Sequence, residues 1–181
     1  VMKALILDTE TTGLIDNHTI KIDKQPEVIE YYGCAVDLVT GNINQELSLL
    51  IKPSRPSVVT DEITRITGLK YDDLKEAPGF MQVANEIFGQ IEKAPAIIAH
   101  NLSYDKEMLE IEAERLGRKI NWPSPLICTV EQTVHLKGYR LNLSDMHEML
   151  FGVRFDGAHR AKVDVQALTK CCVELKRRGM L

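Results

Sequence analysis

LILDTETTG, residues 5–13, begins as an apolar run suited to the inside of a sheet and ends by presenting two acids, Asp8 and Glu10. In a strand the side chains alternate faces, so residues two apart point the same way across about 6 to 7 Å of backbone. Like charges held that close repel. A strand that ends in this way needs compensation from elsewhere in the chain.

With 181 residues, 44% of them hydrophobic and 27% charged, the chain reads as a single domain, residues 1–181, with a full core. It contains no apolar run long enough to span a membrane and no basic-then-apolar leader, so the expectation is a soluble, cytoplasmic protein with no membrane partner. Cys34, Cys128, Cys171 and Cys172 form neither C-x-x-C pairs nor a disulfide framework, and they read as reduced core thiols. The net charge of −4 argues against a general nucleic-acid coat, but the charge is unevenly spread. Residues 1–136 carry 13 basic against 21 acidic side chains, whereas residues 137–181 carry 9 against 5. The C-terminal part could therefore meet a polyanion through Lys137, Arg140, Arg154, Arg160 and Lys162, although scattered solvated charges explain the same count.

Outward from the opening strand, VIEYYGCAVDLVTG (28–41) reads as a second strand ending in a Thr-Gly turn, and ELSLLIKP (46–53) as a third stopped by Pro53. Short connections make the three an antiparallel meander. A proline-interrupted loop leads to a short helix that Gly68 ends. Phe80, Val83, Ile87, Phe88 and Ile91 recur at helical spacing, and PAIIAH (95–100) is a short, wholly apolar strand of the parallel kind. A helix from Ser103 to Leu116, a fifth strand at SPLICT (124–129), a helix near LSDMHEMLFG (143–152) and a last helix from Arg160 to Arg178 complete the reading. Strands first, then alternating helix and strand, predict an α/β protein with a five-stranded mixed sheet flanked by helices.

Two more acids sit where helices turn inward. Asp105 is followed by Met108, Leu109 and Leu116, and Asp164 by Leu168, Cys171 and Leu175, so each heads an apolar stripe facing the core. Taken singly, each aspartate reads equally well as a helix N-terminal residue favouring the dipole, and the Asp8–Glu10 pair as solvated carboxylates at a strand end. Convergence changes the balance: a strand end and two helix starts, all placed at the inner face of the same sheet, supply four acids. Burying carboxylates costs several kcal/mol unless cations or donors compensate them, and no set of basic residues recurs at matching positions. Four hard oxygen donors in an open arrangement suit Mg²⁺ or Mn²⁺, as a pair of ions about 4 Å apart. His159, in FDGAHRAKVD, precedes Asp164 by five residues, about 500° along a helix, so the two would diverge if both were helical. Gly157 makes the preceding stretch a loop, from which His159 can swing back over the acids, and its ordinary pKa near 6.5 suits it to take a proton. His18, His135 and His147 read as surface or packing residues, with His100 intermediate.

These positions resemble the DnaQ-like, or DEDDh, family of 3′-to-5′ exonucleases, which share the ribonuclease H-like fold. DTETTG is similar to the first motif of that family, AHNLSYDKEML to the second and HRAKVDVQAL to the third, in order and across nearly the whole chain. The loop RPSVVTDEITRITGL and the strand LICT look more like the proofreading and exonuclease X-type branch. The resemblance implies two Mg²⁺ or Mn²⁺ ions: Asp8 bridges both, Glu10 and Asp164 complete the ion that holds the attacking water, and Asp105 holds the second. His159 is then the general base. Thr11, Thr12, Gly13 and Leu14 look like the segment gripping the last nucleotide, with backbone amides toward its sugar and Leu14 against its base, while His100 and Asn101 shape that pocket or order the loop.

The same resemblance implies a nucleic acid 3′ end as substrate, DNA before RNA, and replication or repair proteins as partners. An exoribonuclease and a catalytically silent nucleic-acid-binding module are the alternatives. Two positions depart from the family pattern: Thr64 stands where a histidine is usual, and Tyr104 where phenylalanine is, adding a hydroxyl that needs a partner. The last predicted helix runs almost to residue 181, giving the expectation of no polymerase-binding tail. The reading requires the acids to converge without a guanidinium or ammonium partner.

Overall fold

The alternation that opens the chain becomes strand β1 (Lys3–Thr11), whose odd and even residues feed different cores. A computed structural model describes residues 1–19 and 21–181. Leu5 and Leu7 pack with α3 (Phe80–Glu92) and α4 (Leu102–Arg115) through Ile87, Phe88, Met108 and Leu109. Ala4 and Ile6 face the other way, onto Met146 and Leu150 of α6 (Leu143–Phe151) and Val165 and Leu168 of α7 (Ala161–Arg177). A strand buried on both faces can be apolar throughout, which is why β1 reads as a run until its acids begin.

The five-stranded sheet has the order β3-β2-β1-β4-β5. Strands β2 (Val28–Asp37) and β3 (Ile43–Leu50) form the expected antiparallel meander with β1, and β4 (Ile97–Ala99) and β5 (Leu126–Cys128) run parallel to it. The predicted second strand stops earlier than expected, because Asp37 accepts the amides of Val39 (2.9 Å) and Thr40 (3.0 Å) and folds the chain into a turn. Helices α1 (Asp61–Thr67) and α2 (Tyr71–Leu74) cover Ile29 with Ile63, Leu69 and Leu74. Gly68, at φ +77°, ends α1 as its sequence position predicts.

Helix α5 (Thr129–Lys137) is not anticipated by the sequence. Thr129, Val130, Thr133 and Val134 are β-branched and give no apolar stripe, yet burial of Thr129, Val130 and Thr133 overrides that propensity. All four cysteines are free, with Cys34, Cys171 and Cys172 buried and Cys128 half-buried. Among the described residues no helix is long and apolar enough to cross a membrane.

Register decides where the site lies. Strand β4 pairs with β1 only at Leu5 and Ile6, so the last residues of β1 project beyond it with one edge unpaired. On the other edge a bulge follows Glu10, a device common beside active sites. The segment after β1 is tied down by Arg115, which donates to the carbonyls of Ile22 (2.8 Å) and Gln25 (2.7 Å) and to Glu112 (2.8 Å). Glu112, buried, in turn accepts the amide of Val28 at 3.0 Å. Arg115→Met leaves that carboxylate without its cation and should cost about 3 kcal/mol of stability, read as a lower midpoint in urea. An unchanged midpoint would show that Glu112 does not need the guanidinium.

Candidate active site

Asp8 and Glu10 lie on the same face of β1, the α7 side, and Asp164 comes to meet them from the first turn of α7. One carboxylate oxygen from each lies within 4.8 Å of the others. Oδ2 of Asp8 is buried and has no hydrogen-bond partner. Asp105 arrives differently from the sequence expectation of acids sharing one inner face. It belongs to α4, on the opposite face, and reaches the end of β1 past the short β4. There its Oδ1 accepts the backbone amide of Thr9 (3.0 Å) and the Thr9 hydroxyl (2.7 Å), filling the edge that β4 leaves unpaired. Asp105 therefore stands outside the tight three-acid group, though its charge still acts on Asp8.

His159 lies just before α7, on the loop that Gly157 predicts. Gly157, at φ +81°, reverses the chain where an added Cβ would come within 3.3 Å of Val163 Cγ1. His159 itself is left-handed, φ +73°, and its amide donates to both oxygens of Asp164 at 3.1 Å. Non-glycine residues at positive φ are uncommon and concentrate at functional sites. Of the three among the described residues, His159 and Asn101 both line the acid cleft.

Two clefts meet at these groups. The first, about 450 Å³, holds Asp8, Glu10, Asp164, His159, Asn101 and Arg140. The second, about 720 Å³, runs from Glu10 and His159 along Thr11, Thr12, Gly13 and Leu14 to Ile63 and Ile66 of α1. Leu14, 86% exposed, forms its rim. The added hydroxyl of Tyr104 finds its partners here, donating to the Gly13 carbonyl and meeting the Thr11 hydroxyl. Thr12 is spent on the hairpin, exchanging bonds with the backbone of Glu27 through its amide and its hydroxyl (2.9 Å each), so its amide is not offered to the cleft. Thr64, the other departure, uses its hydroxyl on the Leu69 carbonyl at 2.8 Å.

His100 lines the first cleft and also ties the loop before α6. Its Nε2 donates to the Leu141 carbonyl and its Nδ1 meets the Thr129 hydroxyl, both at 2.8 Å, and burial lowers its pKa. His147 is a packing residue between Phe151 and Phe155. The basic C-terminal set is not a bare patch. Arg140 pairs with Glu131, Arg154 with Asp145 and Glu148, and Arg160 with Glu30, leaving Lys137 and Lys162 as the members of the set that make no ion pair among the described residues. Glu30 is the residue that sequence reasoning missed. An acid inside the otherwise apolar VIEYYGCAV was the available signal.

An exonuclease family model matches residues 5–172. The chain belongs to that DnaQ-like exonuclease family. It is 26% identical to a PolC-type DNA polymerase III of Caldanaerobacter subterraneus subsp. tengcongensis, over 94% of this chain but 11% of that protein. It is also 26% identical to RNA exonuclease 4 of Mus musculus, over 97% of this chain and 37% of the relative. The chain thus spans between about a tenth and two-fifths of the length of these two relatives. In fold it is similar to the nuclease domain of 3′hExo, a DEDDh family member, bound to rAMP, with a TM-score of 0.79 at 17% identity, covering 98% of this chain and 92% of that one.

The chain carries an acid cluster that fits divalent metal ions. The donors are hard oxygens, one buried Asp8 oxygen has no partner, and among the described residues no lysine, arginine or histidine makes an ion pair with Asp8, Glu10, Asp105 or Asp164. Without cations the carboxyls resist ionisation. Burial first, then the neighbouring acids, raise Asp8 well above the carboxylate range; burial and the charges of Asp164 and Glu30 carry Glu10 to about 9. Burial takes Asp105 to about 7 against the opposing Thr9 hydrogen bonds, and burial also raises Asp164.

The sign of the consequence is fixed. These groups keep protons in the fold that the unfolded chain has already released, so their stabilisation is complete below the ordinary carboxylate pKa and is lost as pH rises toward 9. In EDTA the thermal midpoint of the wild type should fall relative to Glu10→Gln between about pH 5 and pH 8.5, and Mn²⁺ should raise the wild-type midpoint more at the higher pH. Parallel pH curves for the two proteins, with no metal effect, would refute this electrostatic account.

Proposed function

We propose that this domain is a metal-dependent 3′-to-5′ exonuclease that removes nucleotides from single-stranded DNA ends as nucleoside 5′-monophosphates. The observation that carries the reading is the meeting of two clefts at one border. Asp8, Glu10 and Asp164 converge there without a cationic partner, and His159 stands beside them. Asp8, Glu10 and Asp164, with Asp105 behind them, are the residues that would hold Mg²⁺ or Mn²⁺. When bound, such ions supply positive charge that favours attack on a phosphodiester and the departure of an alkoxide.

The chain's own residues do the placing. Thr11, Gly13 and Leu14, with Ile63 and Ile66 opposite, line a cleft of about 720 Å³ beside the acids, where a terminal nucleotide is seated with its last phosphodiester toward the carboxylates. His159 accepts the proton of the attacking water, the new P–O bond forms, and the bond to the 3′ oxygen of the shortened strand breaks. The left-handed backbone of His159, anchored on Asp164, keeps the imidazole at the cleft border through that transfer.

Ribonuclease activity is the second reading, and the matched RNA exonuclease 4 and the rAMP-bound structural neighbour favour it. A 2′-hydroxyl is accepted or refused by backbone placement in the second cleft. The PolC-type relative supports replication or repair proteins as partners.

The test uses 5′-labelled DNA and RNA single strands with Mg²⁺. A ladder shortening by one nucleotide at a time on DNA, abolished by EDTA and by Asp164→Ala, is the expected result, and faster shortening of RNA would select the second reading. His159→Ala should lose at least about 100-fold in kcat near neutral pH while still binding Mn²⁺. No shortening of either polymer would overturn the proposal.

A further inference from the structure

Glu30 lies directly opposite Glu10 in the β1–β2 pair and on the same face, a placement in which two like charges oppose each other. Its side chain is 7% exposed, yet it is not a member of the acid group. Arg160 closes on it in a fork, Nε donating to both oxygens at 3.2 Å and Nη2 to Oε2 at 2.9 Å, while the amide of Ala161 donates to Oε1 at 2.8 Å. Forked arginine–carboxylate pairs fix direction as well as distance.

The bonds fall on the two residues that follow His159. Helix α7 has no side-chain cap of its own at Arg160, so a carboxylate from a strand 130 residues away takes the place of the usual Ser, Thr or Asp. On the other side, the His159 amide is gripped by Asp164, and Gly157 holds φ +81° with Val163 Cγ1 3.3 Å from where a Cβ would stand. A non-glycine residue at φ +73° relaxes to negative φ unless its neighbours are held from outside.

We infer that Glu30 and Arg160 act as a positioning clamp for His159: by fixing Arg160 and Ala161 to β2, they hold the imidazole in its left-handed pose at the border of the two clefts. The clamp rests on the proposed proton-accepting role of His159. It assigns to Glu30 and Arg160 no contact with substrate. The guanidinium that the sequence offered to a polyanion is half-buried and committed to Glu30.

The experiment compares the wild type, Glu30→Gln/Arg160→Gln, His159→Ala and the triple variant on labelled single-stranded DNA with Mg²⁺. The double variant removes one charge of each sign and leaves no buried carboxylate unpaired, whereas Arg160→Gln alone would strand the buried Glu30 carboxylate. It should lower kcat about 10-fold with KM and Mn²⁺ affinity within about twofold. Added to His159→Ala, the same pair of changes should cost nothing further in kcat, because the residue through which it acts is gone. Losses that multiply in the triple variant, or a loss carried by KM or by Mn²⁺ affinity, would overturn the clamp. Hydrogen exchange separates the two ideas. If His159→Ala turns over like the wild type, the proton-accepting role fails, and the clamp is then decided by the His159 amide. Faster exchange there in the double variant, with core amides unchanged, supports it, and unchanged exchange refutes it.

Discussion

Mutual repulsion among carboxylates at the end of β1 is the constraint that the surrounding structure answers. The four acids are delivered by three elements, one strand and two helices on opposite faces of the sheet, so none can leave without disturbing an element of the core. The short β4 makes the meeting possible. By ending early it leaves the tip of β1 open on one edge, and Asp105 enters there, held by Thr9. Around this point the loops are fastened by side-chain hydrogen bonds: Tyr104 to Gly13, Thr12 to Glu27, and His100 between α5 and Leu141. The fold pays for a cluster that would otherwise spread apart through two hydrophobic layers and this fastening.

The arginines are arranged to the same end. A guanidinium close to the acids would neutralise them and compete with a divalent cation. Arg140 lines the first cleft but is paired with Glu131, Arg154 is paired with Asp145 and Glu148, and Arg160, the nearest along the chain, is turned to Glu30. The negative charge at the site is thereby kept for ions from solution.

Much of this was legible in the sequence where periodicity and position speak together. Alternation in β1 placed Asp8 and Glu10 on one face, and the stripes below Asp105 and Asp164 showed that both helices enter the core at their first turn. Gly157 showed that His159 precedes the last helix instead of belonging to it. What could not be read depended on partners distant in sequence. No local pattern shows that Arg160 is matched to Glu30, that Thr9 occupies one oxygen of Asp105, or that α4 and α7 lie on opposite faces. Helix α5 escaped for a different reason, its β-branched residues arguing against the helix that burial imposes.

The central claim is that the cluster exists to bind divalent cations, and Mn²⁺ titration followed by electron paramagnetic resonance measures that without reference to catalysis. The account predicts two ions per chain for the wild type and loss of tight binding in Asp8→Asn, since the Asp8 carboxylate lies among the other acids with one oxygen left without a partner. Failure of the wild-type chain to take up Mn²⁺, or equal uptake by Asp8→Asn, would contradict it.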